Sequence, residues 1–141
     1  MTTIDSSLTP DAACPTILIV EDDVALQGLL ATLLEDESYR TLRAGTGAEA
    51  LAQLAARTPD LVLLDLRLPD IDGYELCQRI RATHGAQLPI LMLSANRDPR
   101  DVIEALRIGA TDYLRKPFET EELLLEIRAY LPSAPYALSA D

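Results

Sequence analysis

The sequence has only two cysteines, Cys14 and Cys77, and few basic residues. No CxxC pair or Cys/His spacing accompanies the two thiols, so neither a disulfide framework nor a structural zinc site is indicated. Twelve Lys and Arg stand against 23 Asp and Glu, which gives a formal net charge of −11. Because the basic residues are not clustered, the footprint of direct nucleic-acid binding is missing. The acidic balance remains compatible with a metal cation or a basic patch on a protein partner.

Long apolar runs are also missing from the sequence. No stretch approaches the roughly 20 apolar residues that a membrane-spanning helix needs, and residues 1–13 lack the basic start and apolar core of a signal peptide. We therefore expect a cytoplasmic protein without a membrane partner. The 141 residues, 48% of them hydrophobic, are enough for one domain with a real core. The predicted organisation is a loose tail over 1–13, one domain over 14–131, and a C-terminal tail or truncated linker over 132–141.

Short apolar runs alternate with helical periodicity along the chain. Continuous apolar character is typical of strands that are covered by helices on both faces. Such runs predict strands near 17–20, 39–44, 61–65, 89–94 and 112–115. Helices are predicted between them from leucines spaced at i, i+3, i+4 and i+7 (26–34), from N-capping signals at Thr46, Asp72 and Asp98, and from the apolar pattern of 120–131. Five strands alternating with five helices predict an α/β fold with an open, doubly wound parallel sheet.

The run 61–65 ends on a carboxylate, Asp65. Taken alone, an Asp in this place is more often the polar residue that ends a strand than a functional group. In a parallel sheet, however, the carboxyl ends of all strands share one rim, which is where α/β folds place their ligands. The residues expected at that rim are Glu21, Asp22, Asp23, Asp65, Ser94 and Lys116.

These residue types together predict phosphoryl chemistry that depends on a metal. Neighbouring carboxylates can all ionise comfortably only when a cation joins them, and oxygen ligands without thiols select a hard ion such as Mg²⁺. A lysine and a hydroxyl opposite could hold the oxygens of a phosphoryl group. Asp65 would then be a nucleophile that forms an acyl phosphate. The acidic turn 21–23 argues against a nucleotide site, because nucleotide-binding sheets need a glycine-rich turn there.

Four segments of the chain resemble the receiver domain of two-component response regulators, including chemotaxis regulators. They are ILIVEDD (17–23), LVLLDLRLPDIDG (61–73), LMLSA (91–95) and GATDYLRKPF (109–118), in family order and spacing. The resemblance covers about 15–131. It implies a flavodoxin-like sheet with strand order 2-1-3-4-5. It further implies that Asp65 accepts a phosphoryl group from a histidine kinase or phosphotransfer protein.

The same resemblance implies roles for the acidic residues and their neighbours. Asp22 and Asp65 would bind Mg²⁺ together with the backbone carbonyl of Arg67, while Glu21 would act mainly through water. Arg67 and Asn96 match positions that tune dephosphorylation in the family. Asp23, by contrast, is more simply explained as the residue that begins the first helix.

On the other side of the site, Ser94 and Lys116 would receive phosphoryl oxygens. Ser94 and Tyr113 would form the switch, and a cis Lys116–Pro117 peptide is expected to present the lysine. The last two helices and the strand between them would form the surface that controls output or a phospho-dependent homodimer. Leu125 is the candidate contact there. His84, the single histidine, is better explained as a helix-end cation than as a phosphodonor, so the phosphate must come from another protein.

One alternative function is a Mg²⁺-dependent aspartyl-phosphate phosphatase of the haloacid dehalogenase type. That class has a second Asp two residues after its nucleophile, and Arg67 stands at that position here. We therefore predict a protein that is not a conventional enzyme and catalyses only its own phosphorylation and dephosphorylation.

Overall fold

The computed structural model describes residues 14–95 and 98–131, and within them five strands alternate with five helices. The strands are β1 (Thr16–Val20), β2 (Arg40–Ala44), β3 (Leu61–Asp65), β4 (Ile90–Ser94) and β5 (Asp112–Arg115). The helices are α1 (Val24–Asp36), α2 (Gly47–Ala56), α3 (Gly73–His84), α4 (Pro99–Arg107) and α5 (Thr120–Tyr130). The predicted tails, 1–13 and 132–141, lie outside the described residues. Among the described helices, none has the length and apolar character needed to cross a membrane.

The strands form one parallel sheet in the order β2-β1-β3-β4-β5, which confirms the predicted fold class. Every residue of β3 and β4 is buried. The edge strand β2 is mostly accessible, in agreement with its weaker apolar pattern. The apolar runs therefore sit where helices cover both faces of the sheet.

Successive strand residues point to opposite faces of the sheet and feed two core layers. In one layer, Ile19 and Leu63 pack with buried residues of α1 and α5. In the other, Leu18 and Val62 pack with α2, α3 and Ala105 of α4. This alternation explains why the apolar runs of β1, β3 and β4 are continuous rather than confined to every second position.

Polar residues at the helix starts act as the N-caps that the sequence predicts. Asp23 accepts a hydrogen bond from the backbone N–H of Leu26 at 3.1 Å, which agrees with its expected helix-start role. The caps of α2, α3 and α4 are Thr46, Asp72 and Asp98, each accepting from a backbone N–H of the first turn. Because the chain enters each helix from the carboxyl end of a strand, these caps line the same rim as the predicted site.

The leucine periodicity of α1 is only partly a core signal. Leu30 and Leu34 are buried, but Leu29 is 55% exposed. The buried stripe instead includes Ala31, so the helix is rotated away from the face that the leucines alone predict. Leu29 is consequently left on the surface.

Candidate functional site

The sheet register brings the predicted rim residues together. Val20 pairs with Leu64, and Asp65 pairs with Leu93, so Glu21 and Asp65 emerge side by side at the ends of β1 and β3. Ser94 ends β4, and its backbone carbonyl accepts a hydrogen bond from the N–H of Lys116 at 2.8 Å. The predicted neighbourhood is therefore present.

One carboxylate oxygen each from Glu21, Asp22 and Asp65 lies within 4.8 Å of the others. Glu21 and Asp65 are 1% and 5% exposed, whereas Asp22 faces solvent. The donor atoms are all hard oxygens, which suits Mg²⁺, and the open side at Asp22 leaves room for the waters that this ion keeps. The three carboxylates thus fit a divalent cation.

Lys116 lies between the two buried acids. Its Nζ donates a hydrogen bond to Glu21 Oε1 at 2.9 Å and lies 3.5 Å from Asp65 Oδ1. The peptide bond to Pro117 is cis, as the resemblance implies. A single ammonium group beside three carboxylates leaves the cluster with net negative charge when all are ionised, so a further cation is favoured.

The crowded site changes the pKa of Glu21. Burial is the main cause that raises its pKa, and the nearby charge of Asp65 raises it further. The hydrogen bonds from Lys116 and from the backbone N–H of Asp23 act in the opposite direction. The net upward shift means that the folded protein disfavours the Glu21 carboxylate, which a bound cation would offset.

The loop from β3 to α3 is folded tightly against the site. The backbone N–H of Arg67 donates to Asp65 Oδ1 at 3.2 Å, which places the Arg67 peptide beside the carboxylate. Gly73 donates its N–H to the carbonyl of Leu66 at 3.1 Å. A Cβ at Gly73 would come 2.6 Å from Leu66 Cα, so only glycine fits this approach. The sequence carries Gly73 after the N-cap Asp72, but its packing role becomes visible only in the structure.

Two other polar side chains near the site were missed by sequence reasoning. Gln27 of α1 donates from Nε2 to the carbonyl of Glu21 at 3.0 Å and so supports the first acidic residue. Asp70 accepts from the backbone N–H groups of Gly47 and Ala48 at 2.8 and 3.0 Å. The latter contact joins segments more than 20 residues apart, which local patterns do not predict.

The two residues predicted to switch lie on neighbouring strands, Ser94 at the end of β4 and Tyr113 in β5. Ser94 is 2% exposed, and Tyr113 of β5 is half-buried, next to the layer that contains Met92. Asn96 lies outside the described residues. Contact of Ser94 with a phosphoryl oxygen and rotation of Tyr113 stay predictions.

An apolar groove of about 350 Å³ adjoins the site. The groove is formed by α1 and by the segment that follows β5. Its lining includes Leu26, Leu29, Leu33, Lys116, Pro117 and Phe118. Leu29, which is exposed, and the partly buried Leu26 and Leu33 therefore share a groove with Lys116 of the site.

Comparison with known proteins agrees with this geometry. The family model described as the response regulator receiver domain matches residues 17–128. The DNA-binding response regulator MtrA of Mycolicibacterium paratuberculosis is 44% identical over 115 residues, which cover 82% of this chain and 50% of that protein. The transcriptional regulatory protein AfsQ1 of Streptomyces coelicolor is 43% identical over 117 residues, covering 83% of this chain and 51% of that protein. The chain thus spans about half the length of these curated relatives.

Solved structures give the same result. Chemotaxis protein CheY4 of Vibrio cholerae matches with a TM-score of 0.79 and 31% identity, covering 84% of this chain and 100% of that chain. The receiver domain of NtrX from Brucella abortus matches with a TM-score of 0.77 and 36% identity, covering 82% of this chain and 97% of that chain. Sequence, sheet order and the acidic rim agree: the chain belongs to the response regulator receiver domain family.

Proposed function

We propose that this protein is a phosphorylation-controlled switch in which Asp65 accepts a phosphoryl group from a phosphohistidine. The observation that carries the proposal is the environment of Asp65. Asp65 is 5% exposed, and its carboxylate lies in a three-carboxylate cluster, 3.5 Å from Lys116 Nζ. A buried nucleophile with a cation on one side and a metal-compatible oxygen set on the other suits an acyl phosphate.

In the proposed reaction an oxygen of Asp65 attacks phosphorus, the P–N bond of phosphohistidine breaks, and the imidazole leaves with the electron pair. Asp22, Asp65 and the Arg67 carbonyl would hold a Mg²⁺ ion, with Glu21 acting through water, and the ion would neutralise charge on the phosphoryl oxygens. The Lys116 ammonium group pairs with an oxygen of the new phosphoryl group, with the Ser94 hydroxyl as a further partner. Arg67 and Asn96 tune how quickly water removes the phosphate.

The signal would leave the site through α4, β5 and α5. Repositioning of Ser94 and Tyr113 biases this surface between two states, which controls an output partner or pairing with a second copy. Ile103 of α4 and Leu125 of α5 are 65% and 63% exposed and offer apolar contacts. The longer relatives are named as DNA-binding regulators. We infer that the output of this acidic domain likewise resides in another domain or protein.

The test is phosphorylation with Mg²⁺ and a small phosphodonor, followed by intact-mass measurement. The wild-type chain gains one phosphoryl mass, and Asp65→Asn gains none. Asp23→Asn is the matched control, because it changes the neighbouring acid outside the metal trio while asparagine still caps α1. Equal labelling of Asp65→Asn and the wild type would refute the proposal.

The competing phosphatase function is tested by turnover. A switch consumes about one equivalent of donor and then loses its phosphate slowly, whereas a phosphatase hydrolyses excess phosphomonoester at a steady rate. Because Arg67 stands where that class has its second Asp, we expect no steady hydrolysis. Multiple turnovers abolished by Asp65→Asn would support the phosphatase instead.

We further infer that the phosphodonor protein docks in the apolar groove along α1. The groove borders Lys116, so a helix seated there would deliver its phosphohistidine towards Asp65. Leu29→Glu should slow phosphotransfer from a cognate kinase or phosphotransfer protein while leaving labelling by a small donor unchanged. Leu125→Glu is the control, since Leu125 is similarly exposed but does not line the groove. Equal slowing by both substitutions would contradict the docking surface.

The Leu125→Glu protein also tests self-association. If the α4-β5-α5 surface forms a phospho-dependent homodimer, the substitution abolishes the phosphate-induced increase in mass measured by sedimentation. An unchanged increase would remove Leu125 from the interface.

A further inference from the structure

Asp70 lies in the loop between β3 and α3, three positions after Arg67. Its two carboxylate oxygens accept hydrogen bonds from the backbone N–H groups of Gly47 and Ala48, the first two residues of α2, at 2.8 and 3.0 Å. These bonds are the main cause that lowers the pKa of Asp70. The charged carboxylate is therefore the form that binds the helix start, where the helix dipole also favours negative charge.

This contact adds to the cap that α2 already has within its own sequence. Thr46 accepts a hydrogen bond from the N–H of Glu49 at 3.1 Å, as an N-cap does. Asp70 takes two N–H groups that Thr46 leaves unpaired, and it does so from a different loop. The local cap and the tertiary cap can consequently be removed separately.

The loop is also packed against α2 beside Asp70. A Cβ built at Gly47 would lie 2.1 Å from Ile71 Cγ2, so glycine is required for the loop to approach this closely. Hydrogen bonds from α2 and close steric packing thus coincide at the tip of the loop. The loop between β3 and α3 is therefore fixed to the start of α2 by both hydrogen bonds and packing.

The base of the loop is attached to the acidic site. The N–H of Arg67 donates to Asp65 Oδ1, and Arg67 and Asp72 form an isolated antiparallel bridge. The Arg67 peptide is therefore held between an attachment at Asp65 and another at the start of α2. A loop that is fixed at both ends keeps its backbone in one position.

We propose that Asp70 is a positioning residue: by capping α2 it holds the Arg67 peptide beside Asp65 and thereby strengthens divalent-cation binding at the acidic cluster. This inference rests on the proposed function of that cluster. Groups behind the ligands of a metal site commonly affect affinity by about tenfold or more. An effect on the order of tenfold is therefore expected when the Asp70 carboxylate is removed.

The experiment compares Asp70→Ala with Thr46→Ala in the full chain. Mn²⁺ binding is measured by the loss of the free-ion electron paramagnetic resonance signal, and thermal unfolding is measured on the same samples without metal. Both substitutions remove capping of α2 and should lower the melting temperature. Only Asp70→Ala should also weaken Mn²⁺ binding, roughly tenfold. Asp70→Asn, which keeps an oxygen acceptor, should restore part of the affinity and serves as the test variant if Asp70→Ala does not fold.

Equal Mn²⁺ affinities in the Asp70 and Thr46 variants would overturn the proposal and leave Asp70 as a helix cap only. The proposed function is judged separately by Asp65→Asn. If Asp65→Asn binds Mn²⁺ like the wild type and gains phosphoryl mass, the acidic cluster is not the site at all. If Asp65→Asn loses Mn²⁺ binding and labelling but Asp70→Ala binds Mn²⁺ as Thr46→Ala does, the acidic cluster is the metal site and only the positioning role of Asp70 is rejected.

Discussion

Lys116 at the carboxyl ends of the strands and Arg81 at the amino ends are both partly buried cations, but their partners differ in charge. Lys116 contacts the carboxylates of Glu21 and Asp65. Arg81 donates instead to neutral oxygens: the carbonyls of Gly85, Leu88 and Gly109 and the hydroxyl of Thr111. The cation at one end of the sheet is thus outnumbered by carboxylates, whereas the hydrogen-bond partners of Arg81 at the other end are uncharged.

The Arg81 contacts connect three parts of the chain. Nε donates to the Gly109 carbonyl at 2.7 Å and Nη2 to Thr111 Oγ1 at 3.1 Å, while Thr111 Oγ1 also accepts from the N–H of Ile90. Burial lowers the pKa of Arg81, yet a guanidinium stays charged in proteins. The fork-shaped group therefore fastens α3 to the turns before β4 and β5. The two ends therefore use their cations differently. Arg81, whose donors all meet neutral oxygens, stabilises the fold. Lys116, which is outnumbered by carboxylates, leaves negative charge that can bind a further cation.

The largest expected effect is on stability at the amino end. Arg81→Met removes the donors of several partly buried oxygens and should lower the free energy of unfolding by about 3 kcal/mol. Labelling of Asp65 by a small phosphodonor should persist. Urea denaturation measures the first quantity and intact mass the second.

The control for Arg81 is Arg79→Met on the same helix. Arg79 pairs with Glu75 at the surface, where both side chains are more than half exposed, so its loss should cost less than about 1 kcal/mol. Equal losses for the two variants would mean that the Arg81 hydrogen bonds contribute nothing special.

The next prediction compares alanine substitutions of two glycines, Gly73 beside the acidic cluster and Gly85 before β4, in stability and in labelling of Asp65. Gly73→Ala would force a Cβ against the Leu66 backbone and should cost about 2 kcal/mol, with reduced labelling because the Arg67 loop is displaced. Gly85 has a φ of 78° and no described heavy atom within 4 Å of a built Cβ. Gly85→Ala should also cost about 2 kcal/mol, because φ 78° with ψ −171° is backbone that essentially only glycine adopts, but it should leave labelling of Asp65 unchanged. Normal labelling of a folded Gly73→Ala protein would contradict the importance of this approach.

A smaller effect concerns metal affinity. Lys116→Met removes the positive charge from the acidic cluster, so Mn²⁺ should bind more tightly by about 1 kcal/mol, roughly fivefold. Arg81→Met should leave Mn²⁺ affinity unchanged, because Arg81 lies at the amino ends of the strands, away from the acidic cluster. Titration followed by electron paramagnetic resonance measures both. Weaker binding to Lys116→Met would show that the lysine organises the carboxylates more than it repels the ion.

The smallest effect is the pH dependence at Asp70. Its pKa in the folded protein lies below the usual 3.8 because of the hydrogen bonds to α2. The stabilisation by this carboxylate is therefore present above pH 3.8 and is lost as the pH falls through the folded pKa. The difference in melting temperature between wild type and Asp70→Asn should shrink across that acidic range. A difference that stays constant with pH would assign it to something other than ionisation.

The fold and the identity of the rim residues followed from the sequence. Buried strands, helix periodicity and N-caps such as Asp72 depend on residues within a few positions of one another, so short patterns reveal them. Once the strands are known to be parallel, their carboxyl ends must meet. Asp65 and Lys116 could therefore be placed together although they are 51 positions apart.

The tertiary structure alone decided which partners these residues have. Lys116 bonds more closely to Glu21 than to Asp65, Asp70 caps a helix 23 positions before it, and Arg81 reaches Thr111 30 positions later. Leu29, one of the leucines whose spacing predicts α1, lies in a surface groove. Such contacts depend on how helices rotate and pack on the sheet, to within a few tenths of an ångström. Periodicity and residue type specify which face a residue occupies, but packing selects the atoms that it touches.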